Sequence, residues 1–356
     1  TVKGKGKSRL FSLDSGEFED AEYWHDGDST KTGLQFLPMQ SIVLWLDKED
    51  VNEGRIPRQE EKKNIIKPEG CWDIEEMDLN SLTLDYCSHS INGGAWERPV
   101  PTIKLIDILL GYRQSCDIAL KFTFEVDMQI DRNKEFFLAV ETPDEVLMWI
   151  NGNKLEYSDS GWWKDRSFKK VSIKPFVKKG TNEILLKRKF HLSQKAIDVL
   201  SGDRIALDTE INKLTIDTEL ESLYIVGDFG VVSKSGFSYG DRKAVFTNGP
   251  FVITDRPMML ESGDLTEQGL CFFAGSIKLR REVKIHKEEG TGIILDLGKP
   301  NAAMMKLYIN DIPVKPILWA PYSADISDLV VEGRNRITVQ LFAGNRNLLG
   351  PHHNID

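Results

Sequence analysis

The sequence contains two copies of one pattern, 159 positions apart. Residues 117–152 read DIALKFTFEVDMQIDRNKEFFLAVETPDEVLMWING, and residues 276–311 read SIKLRREVKIHKEEGTGIILDLGKPNAAMMKLYIND. Apolar positions fall opposite apolar positions without a gap, and Asn151 falls opposite Asn310. The match resumes with 177–186 against 330–339, at an offset of 153. Solenoid repeats are about 20–50 residues long, so this period indicates two copies of one domain.

The repeated block predicts antiparallel β-strands. Apolar residues at 118, 120, 122, 124 and 126 alternate with mostly polar or small residues, which is the period of a half-buried strand. The second copy keeps this rhythm but has Arg281 opposite Phe122. Asn151-Gly152 is a strong turn signal, and only 104–110 and 193–200 favour a helix. The chain is therefore expected to be all-β, with tandem antiparallel β-sandwiches.

The phase of the alternation also predicts which side chains lie inside. Residues on the apolar phase of a strand point to one face of the sheet, and that face covers the core. A register error of one residue would expose the whole set. The side chains predicted to be buried are Ile118, Leu120, Val126, Met148, Ile184, Ile277, Leu279, Ile285, Leu307 and Ile337.

The repeat places the domain boundaries. We expect a first sandwich at 80–262 and a second at 263–356. The N-terminal segment 1–79 contains an almost entirely charged stretch at 47–67, which indicates a solvated linker or loop. The rest of that segment fits either the tail of an upstream domain or extra strands on the first sandwich.

Charge and composition exclude some classes of partner. The 46 Lys and Arg residues against 55 Asp and Glu residues give a net charge of -9, which argues against a broad nucleic-acid surface but leaves a local basic patch open. No apolar run approaches the roughly 18 residues that span a bilayer, so no membrane segment is expected. The chain does not begin with Met, and we expect a piece of a longer protein.

The spacing of the four cysteines indicates no metal-binding or redox motif. Cys71, Cys87, Cys116 and Cys271 form no CxxC pair. Cys116 and Cys271 precede the two repeat copies and are expected to pack as small apolar side chains. The compartment stays open.

Several strings resemble a known family of jelly-roll domains. Trp149-Ile-Asn-Gly, then Trp162-Trp163, then Gly180-Thr-Asn-Glu-Ile resemble the galactose-binding-like domains of glycoside hydrolase family 2 enzymes and of α-L-rhamnosidase-like bacterial proteins. Asn80-Ser-Leu-Thr-Leu-Asp-Tyr-Cys and Arg346-Asn-Leu-Leu-Gly-Pro-His-His are similar to the accessory C-terminal region of such proteins. The resemblance covers about residues 80–353 and implies tandem jelly-roll sandwiches.

The resemblance implies a non-catalytic role. In such enzymes the acid and nucleophile carboxylates lie on a separate catalytic domain, usually a (β/α)₈ barrel. A barrel needs about 250 residues with alternating strands and helices, and this sequence has no such alternation. We expect a region that binds glycan or braces a catalytic domain of the same parent chain, and that hydrolyses no glycoside alone. A complete glycoside hydrolase and a purely structural or protein-binding module remain the alternatives.

The candidate ligand-binding residues lie in two aromatic loops. Trp162, Trp163, Asp165 and Arg166 stand among turn formers, where an indole can stack on a pyranose and the charged groups can bond its hydroxyls. The corresponding loop of the second copy contributes Trp319 and Tyr322. Each aromatic could instead cap a core or pack between domains.

No cofactor or metal is expected from the sequence. Asp296 and Asp325 could hold a structural Ca²⁺, although a surface carboxylate needs only water as a partner. His352 and His353 are adjacent, so their side chains diverge, and no carboxylate or Cys stands at ligand spacing. A structural role for these histidines is the simpler interpretation.

Overall fold

The computed structural model describes residues 1–12, 16–34, 36, 41–51, 62–131, 133–211, 213, 220–300, 302–318 and 320–353. These residues form an almost entirely β structure, as predicted. The strands of the first half are β1 Val2–Lys3, β2 Lys7–Phe11, β3 Phe18–Asp20, β4 Tyr23–Asp26, β5 Ser29–Thr32, β6 Val43–Asp47, β7 Lys63–Ile66, β8 Cys71–Met77, β9 Asn80–Leu84, β10 Tyr86–Ile91, β11 Val100–Pro101, β12 Cys116–Val126, β13 Phe136–Glu141, β14 Leu147–Ile150 and β15 Asn153–Leu155. Those of the second half are β16 Trp162–Trp163, β17 Asp165–Ser172, β18 Gly180–Phe190, β19 Leu223–Gly227, β20 Gly230–Ser233, β21 Ser238–Tyr239, β22 Val245–Phe246, β23 Phe251–Thr254, β24 Met259–Glu261, β25 Ser276–Ile285, β26 Gly292–Asp296, β27 Met304–Ile309, β28 Ile312–Pro313, β29 Ser323–Asp325 and β30 Gly333–Phe342.

Helices are short. The α-helices are α1 Thr102–Gly111, α2 Gln194–Ser201 and α3 Asp208–Ile211, and 3₁₀ turns occupy Pro143–Glu145, Asp241–Lys243, Thr266–Gln268 and Asn345–Leu349. The first two α-helices confirm the helices predicted at 104–110 and 193–200. Ser193 caps α2, because its hydroxyl accepts a hydrogen bond from the Ala196 amide.

The chain divides into two compact units that interleave along the sequence. Unit 1 comprises Thr1–Met77, Met259–Asp264 and Ser276–Ala343, and unit 2 comprises Asp78–Met258, Leu265–Gly275 and Gly344–Asp356. The predicted boundaries differ from this division. The sequence assigns segment 1–79 to the tail of an upstream domain or to extra strands on the first sandwich, with a charged linker, whereas β8 pairs with β25 and β7 pairs with β26. Those partners belong to the second repeat copy.

Unit 2 contains two facing sheets. The larger sheet has the order β11-β10-β12-β18-β14-β15, with β23 and β20 added beside β12. The smaller sheet has the order β16-β17-β13-β19-β9. Their apolar phases meet in one cluster, in which β12 contributes Ile118 to Val126 at every second position and β13 contributes Phe136, Leu138 and Val140. Apart from the parallel pair of β12 and β23, this arrangement is the antiparallel sandwich that the period of two predicts.

Unit 1 repeats the central strand order. Its larger sheet runs β24-β8-β25-β30-β27-β28, and a smaller sheet runs β29-β26-β7. The sequence β25-β30-β27-β28 corresponds to β12-β18-β14-β15 of unit 2. All ten side chains that the sequence places on the apolar phases are buried, which confirms the register in both copies. The jelly-roll topology in detail stays a prediction.

An asparagine pair recurs in both copies and ties a turn to a strand. In unit 2 the Asn151 amide donates to Asn182 Oδ1 at 2.9 Å, and Asn151 Oδ1 accepts from the Glu183 backbone N–H. In unit 1 Asn310 donates to Asn335 Oδ1 at 2.9 Å and accepts from the Arg336 N–H. The repeated Asn residues are therefore explained by structure, since they satisfy buried polar groups.

The cysteines are free, and three of them are buried. Cys87, Cys116 and Cys271 lie within the core, whereas Cys71 is exposed. Burial raises the pKa of the Cys87 thiol to about 11, because its effect outweighs the opposing effect of a hydrogen bond with Thr102. The expectation that Cys116 and Cys271 pack as apolar side chains is confirmed.

Candidate functional site

The doubled tryptophan divides between solvent and core. Trp162 is 52% exposed, whereas Trp163 is only 9% exposed and packs with Ala139, Val226 and Leu348. The pair forms the short edge strand β16, whose neighbour is β17, and successive side chains of a strand point to opposite faces. Trp163 is therefore a core residue and cannot offer its ring to a sugar, and only Trp162 remains accessible.

The polar residues beside this pair serve the local backbone. Asp165 Oδ1 accepts hydrogen bonds from the Ser167 amide at 2.8 Å and the Ser167 hydroxyl at 2.7 Å, which hold the pKa of Asp165 below its usual range. Lys164 lies with its ammonium 4.4 Å from the centre of the Trp163 ring, and burial lowers the pKa of Lys164 despite the charge of Asp78. Arg166 is exposed.

The second aromatic loop offers less. Trp319 lies outside the described residues. Tyr322 is half-buried, and its carbonyl accepts a hydrogen bond from the Leu297 amide in unit 1. The two predicted loops belong to different compact units.

A cleft of about 630 Å³ lies elsewhere in unit 2, on the larger sheet. It is bounded by the β10–β11 loop, by the first residues of β12, by the last residues of β18 and by the start of β14. Its side chains combine one indole with five charged groups and few apolar residues. The lining residues are Ser90, Gly93, Gly94, Trp96, Asp117, Ile118, Ala119, Glu145, Leu147, Lys187, Arg188 and Lys189.

Hydrogen bonds fix the loop that presents Trp96. Asn92 and Gly93 have φ values of 50° and 72°, which this residue pair adopts in tight turns. The Asn92 amide donates to the Asp117 carbonyl at 2.8 Å, and Asn92 Oδ1 accepts from the Asp117 amide at 3.0 Å. Ser90 donates its hydroxyl to the Gly94 carbonyl at 2.8 Å. The loop is thus bound to β12 and β10 before any ligand arrives.

Trp96 is held at the rim with half of its surface in solvent. It is 45% exposed, and the Lys121 ammonium lies 4.7 Å from the centre of its ring. The same ammonium is 3.2 Å from Glu183 Oε2. A cation on one side of an indole limits its rotation and leaves the rest of the ring surface for contact. The arrangement therefore offers a rigid aromatic platform beside a polar cleft.

The charged groups of the cleft differ in burial and in ion pairing. Arg188 is largely buried, and its guanidinium lies 3.3 Å from Glu145 Oε2. Burial lowers the pKa of Arg188, and Glu145 and Glu141 act against that change. Lys187 and Lys189 are exposed on either side of Arg188, and Asp117 is the register partner of Lys189 on β12.

A second aromatic ring lies next to the cleft. Trp149 on β14 is half-buried, and the Lys187 ammonium is 5.5 Å from the centre of its ring. Leu147, two residues earlier, lines the cleft and is exposed. Residues two apart on a strand share a face, so Leu147 and Trp149 extend the apolar surface along the sheet.

A separate pocket of about 400 Å³ in unit 2 contains an ion pair. His353 Nε2 lies 2.9 Å from Asp85 Oδ2, and its Nδ1 lies 2.6 Å from the Pro351 carbonyl. Burial by itself lowers the pKa of His353, but the hydrogen bond and charge of Asp85, with the Pro351 carbonyl, outweigh burial and raise it. Both ring nitrogens then donate, so the pair fastens the C-terminal segment to the β9–β10 turn. Glu125 and Phe251 line the same pocket.

Asp296 and Asp325, the candidate calcium ligands, accept hydrogen bonds from residues two positions further along the chain. Asp325 Oδ1 accepts from the Ser327 amide and hydroxyl, and Asp296 Oδ1 accepts from the Gly298 amide. In the part of the chain that the structure describes, no group of three or more His, Cys, Asp or Glu side chains could hold a metal ion. No helix there is both long and apolar enough to cross a bilayer.

Sequence reasoning missed Trp96. The string Ile91-Asn-Gly-Gly-Ala-Trp96 has the turn residues and following aromatic that selected Trp162, so the signal was present. The charged side of the cleft was not visible in the same way. Asp117, Glu145 and Lys187 come together only through the pairing of β12, β18 and β14.

Comparisons with known proteins reveal a coarse likeness to glycoside hydrolases. No protein-family model matches the chain, and no curated protein matches it. Similar solved structures include a rhamnosidase from Novosphingobium sp. PP1Y (16% identity, TM-score 0.23, covering 66% of this chain and 18% of that chain). They also include a β-D-mannosidase from Dictyoglomus thermophilum (11%, 0.28, 75% and 31%) and a β-glucuronidase from Ruminococcus gnavus (10%, 0.29, 76% and 44%). The chain spans less than half the length of each.

Proposed function

We propose that this chain is a non-catalytic carbohydrate-binding region of a larger glycoside hydrolase-like protein, and that unit 2 binds glycan in the cleft beside Trp96. The observation that carries the proposal is a rigid, half-exposed indole at the rim of a cleft of about 630 Å³ lined by charged side chains. Bracing of a catalytic domain in the same parent chain is compatible with this role.

The residue types fit the chemistry of a sugar ring. A pyranose has an apolar face of C–H groups, which packs on an aromatic ring, and a rim of hydroxyls, which donate to carboxylates and accept from cations. Trp96 supplies the ring, Asp117 supplies an acceptor, and Lys187 and Lys189 supply donors. Because the loop is hydrogen-bonded to two strands, little ordering entropy opposes binding.

The test replaces Trp96 and the similarly exposed Trp162 in parallel. Glycan-array binding of the whole chain first selects an oligosaccharide, whose affinity is then measured by isothermal titration calorimetry. We expect Trp96→Ala to weaken binding about tenfold, the equivalent of about 1.4 kcal/mol of lost aromatic contact. Thermal stability should change little, because Trp96 is half exposed.

Trp162→Ala is the matched control. It removes an indole of similar exposure in the same unit but outside the cleft. Equal affinity of Trp96→Ala and the unchanged chain would reject the cleft. A loss confined to Trp162→Ala would move the site to the loop at 158–166. Absence of binding to every glycan of the array would reject the binding function and favour a purely structural role.

A further inference from the structure

We infer that the cleft beside Trp96 selects glycans that carry an anionic group, a carboxylate or a sulfate, on the sugar that contacts Lys187 and Lys189. This inference rests on the proposed function, since it names the ligand class of the same cleft. It is carried by two exposed ammonium groups that face a cleft without a carboxylate partner.

The two other cations near these lysines, Lys121 and Arg188, are already paired. Lys121 is engaged by Glu183 and Trp96, and Arg188 by Glu145. Among the described residues, no carboxylate oxygen lies within 4 Å of the Lys187 or Lys189 ammonium. The Lys187 ammonium lies 5.5 Å from the centre of the Trp149 ring. Both ammonium groups therefore keep hydrogen-bond donors for a ligand.

The charge of the lining supports an anion. Its ionisable side chains are three cations, Lys187, Arg188 and Lys189, and two carboxylates, Asp117 and Glu145. The difference is one positive charge, in a chain whose formal net charge is -9. A global attraction for polyanions is thus absent, and an acidic ligand would be held by these local groups.

The positions of the lining residues allow different groups of an acidic sugar to bind different side chains. Lys187 and Lys189 are two residues apart on β18, so both point to one face of the sheet. Asp117 lies opposite Lys189 in the register of β12 and β18. A ring carboxylate or sulfate can bind between the two lysines while a neighbouring hydroxyl donates to Asp117. Trp96 then remains available for the apolar face of the ring.

The experiment compares ligands that differ only in the anionic group. The probes are oligogalacturonate and its carboxyl-reduced form, and dextran sulfate and dextran, each titrated into the whole chain at low and high salt. The variant is Lys187→Gln/Lys189→Gln, and Lys178→Gln/Lys213→Gln is its control. The control makes the same change in charge at exposed lysines outside the cleft.

We expect the whole chain to prefer one anionic probe to its neutral counterpart. The Lys187→Gln/Lys189→Gln variant should weaken that binding about fivefold at low salt, and the difference should shrink as salt rises. The control should bind like the unchanged chain. Loss with oligogalacturonate alone assigns a carboxylate ligand, and loss with dextran sulfate alone assigns a sulfate.

Other outcomes overturn the inference without touching the proposed function. Equal binding of the charged and neutral probes, with the Trp96→Ala variant weakened on both, would leave a neutral-glycan cleft. An equal loss in the control variant, or equal affinity for duplex DNA, would indicate non-specific attraction of polyanions. If Trp96→Ala binds every probe as well as the unchanged chain, the proposed function itself fails.

Discussion

Residues of the same type in similar sequence contexts differ in burial and in structural role. Trp162 and Trp163 are adjacent in sequence, yet one is solvated and the other belongs to the core. Asn151 and Asn182 resemble surface turn residues, yet Asn182 is fully buried and serves four backbone or side-chain groups. The alternation predicts the burial of apolar side chains, but it cannot predict which polar side chain is enclosed, because that depends on partners distant in sequence.

The buried asparagines should be costly to remove. Asn182→Ala removes one of the two acceptors of the Asn151 side-chain amide and the Asn182 partner of the Lys178 and Gly180 backbone groups, so we expect a loss of about 2–4 kcal/mol in the free energy of unfolding. Asn335→Ala should have a similar effect in unit 1. Hydrogen exchange measured by mass spectrometry should locate each effect in its own unit. Exposed Asn153→Ala is the control, with a change of about 0.5 kcal/mol or less; an equal loss there would reject the role of the pair.

His353 should make stability depend on pH. Its pKa is raised above the usual 6.5 in the folded state, so the stabilisation is fully present below the unfolded-state pKa and is lost as pH rises through the folded-state pKa. His89 has the opposite sign, because burial lowers its pKa more than Glu97 raises it. The quantity to measure is therefore the difference in unfolding free energy between the unchanged chain and His353→Gln.

That difference should be largest near pH 6 and decline toward alkaline pH. Asp85→Asn should remove the same dependence, because it deletes the partner that keeps the imidazole protonated. Urea unfolding at a series of pH values measures both variants. A difference independent of pH would mean that His353 contributes by packing against Phe251 and Phe272 alone.

At the scale of elements, the sequence predicts strands well and their neighbours poorly. The alternation in 118–126 gives β12 within two residues, and the Asn-Gly turn gives the β14–β15 hairpin. The sequences of β8 and β25 do not predict that these two strands pair. A strand edge pairs through its backbone N–H and C=O groups, which any extended segment can supply. The cleft could not be predicted for the same reason. Trp96 follows a turn signal in the sequence, whereas the position of Lys187 beside the cleft depends on strand pairing.

At the scale of the whole molecule, the compact units do not coincide with the repeat copies. The fully buried Phe272 belongs to the core of unit 2, although the sequence places it beyond the first predicted domain at 80–262. The Ser81 hydroxyl donates to the Phe272 carbonyl at 2.9 Å, and the Thr83 hydroxyl donates to the Leu348 carbonyl. Unit 2 therefore draws on segments that follow strands of unit 1.

Fragments cut at the two kinds of boundary should differ in stability. We expect 80–262 to melt about 10 °C below 80–275, because burial of Phe272 contributes about 3–5 kcal/mol and each kcal/mol shifts Tm by roughly 2–4 °C at this size. Near-UV circular dichroism of the two fragments measures the difference. Phe272→Ala in 80–275 is the control, and it should melt close to 80–262. Equal melting of both fragments would mean that the first repeat copy completes its own core, and that the predicted boundary at 262 is the physical one.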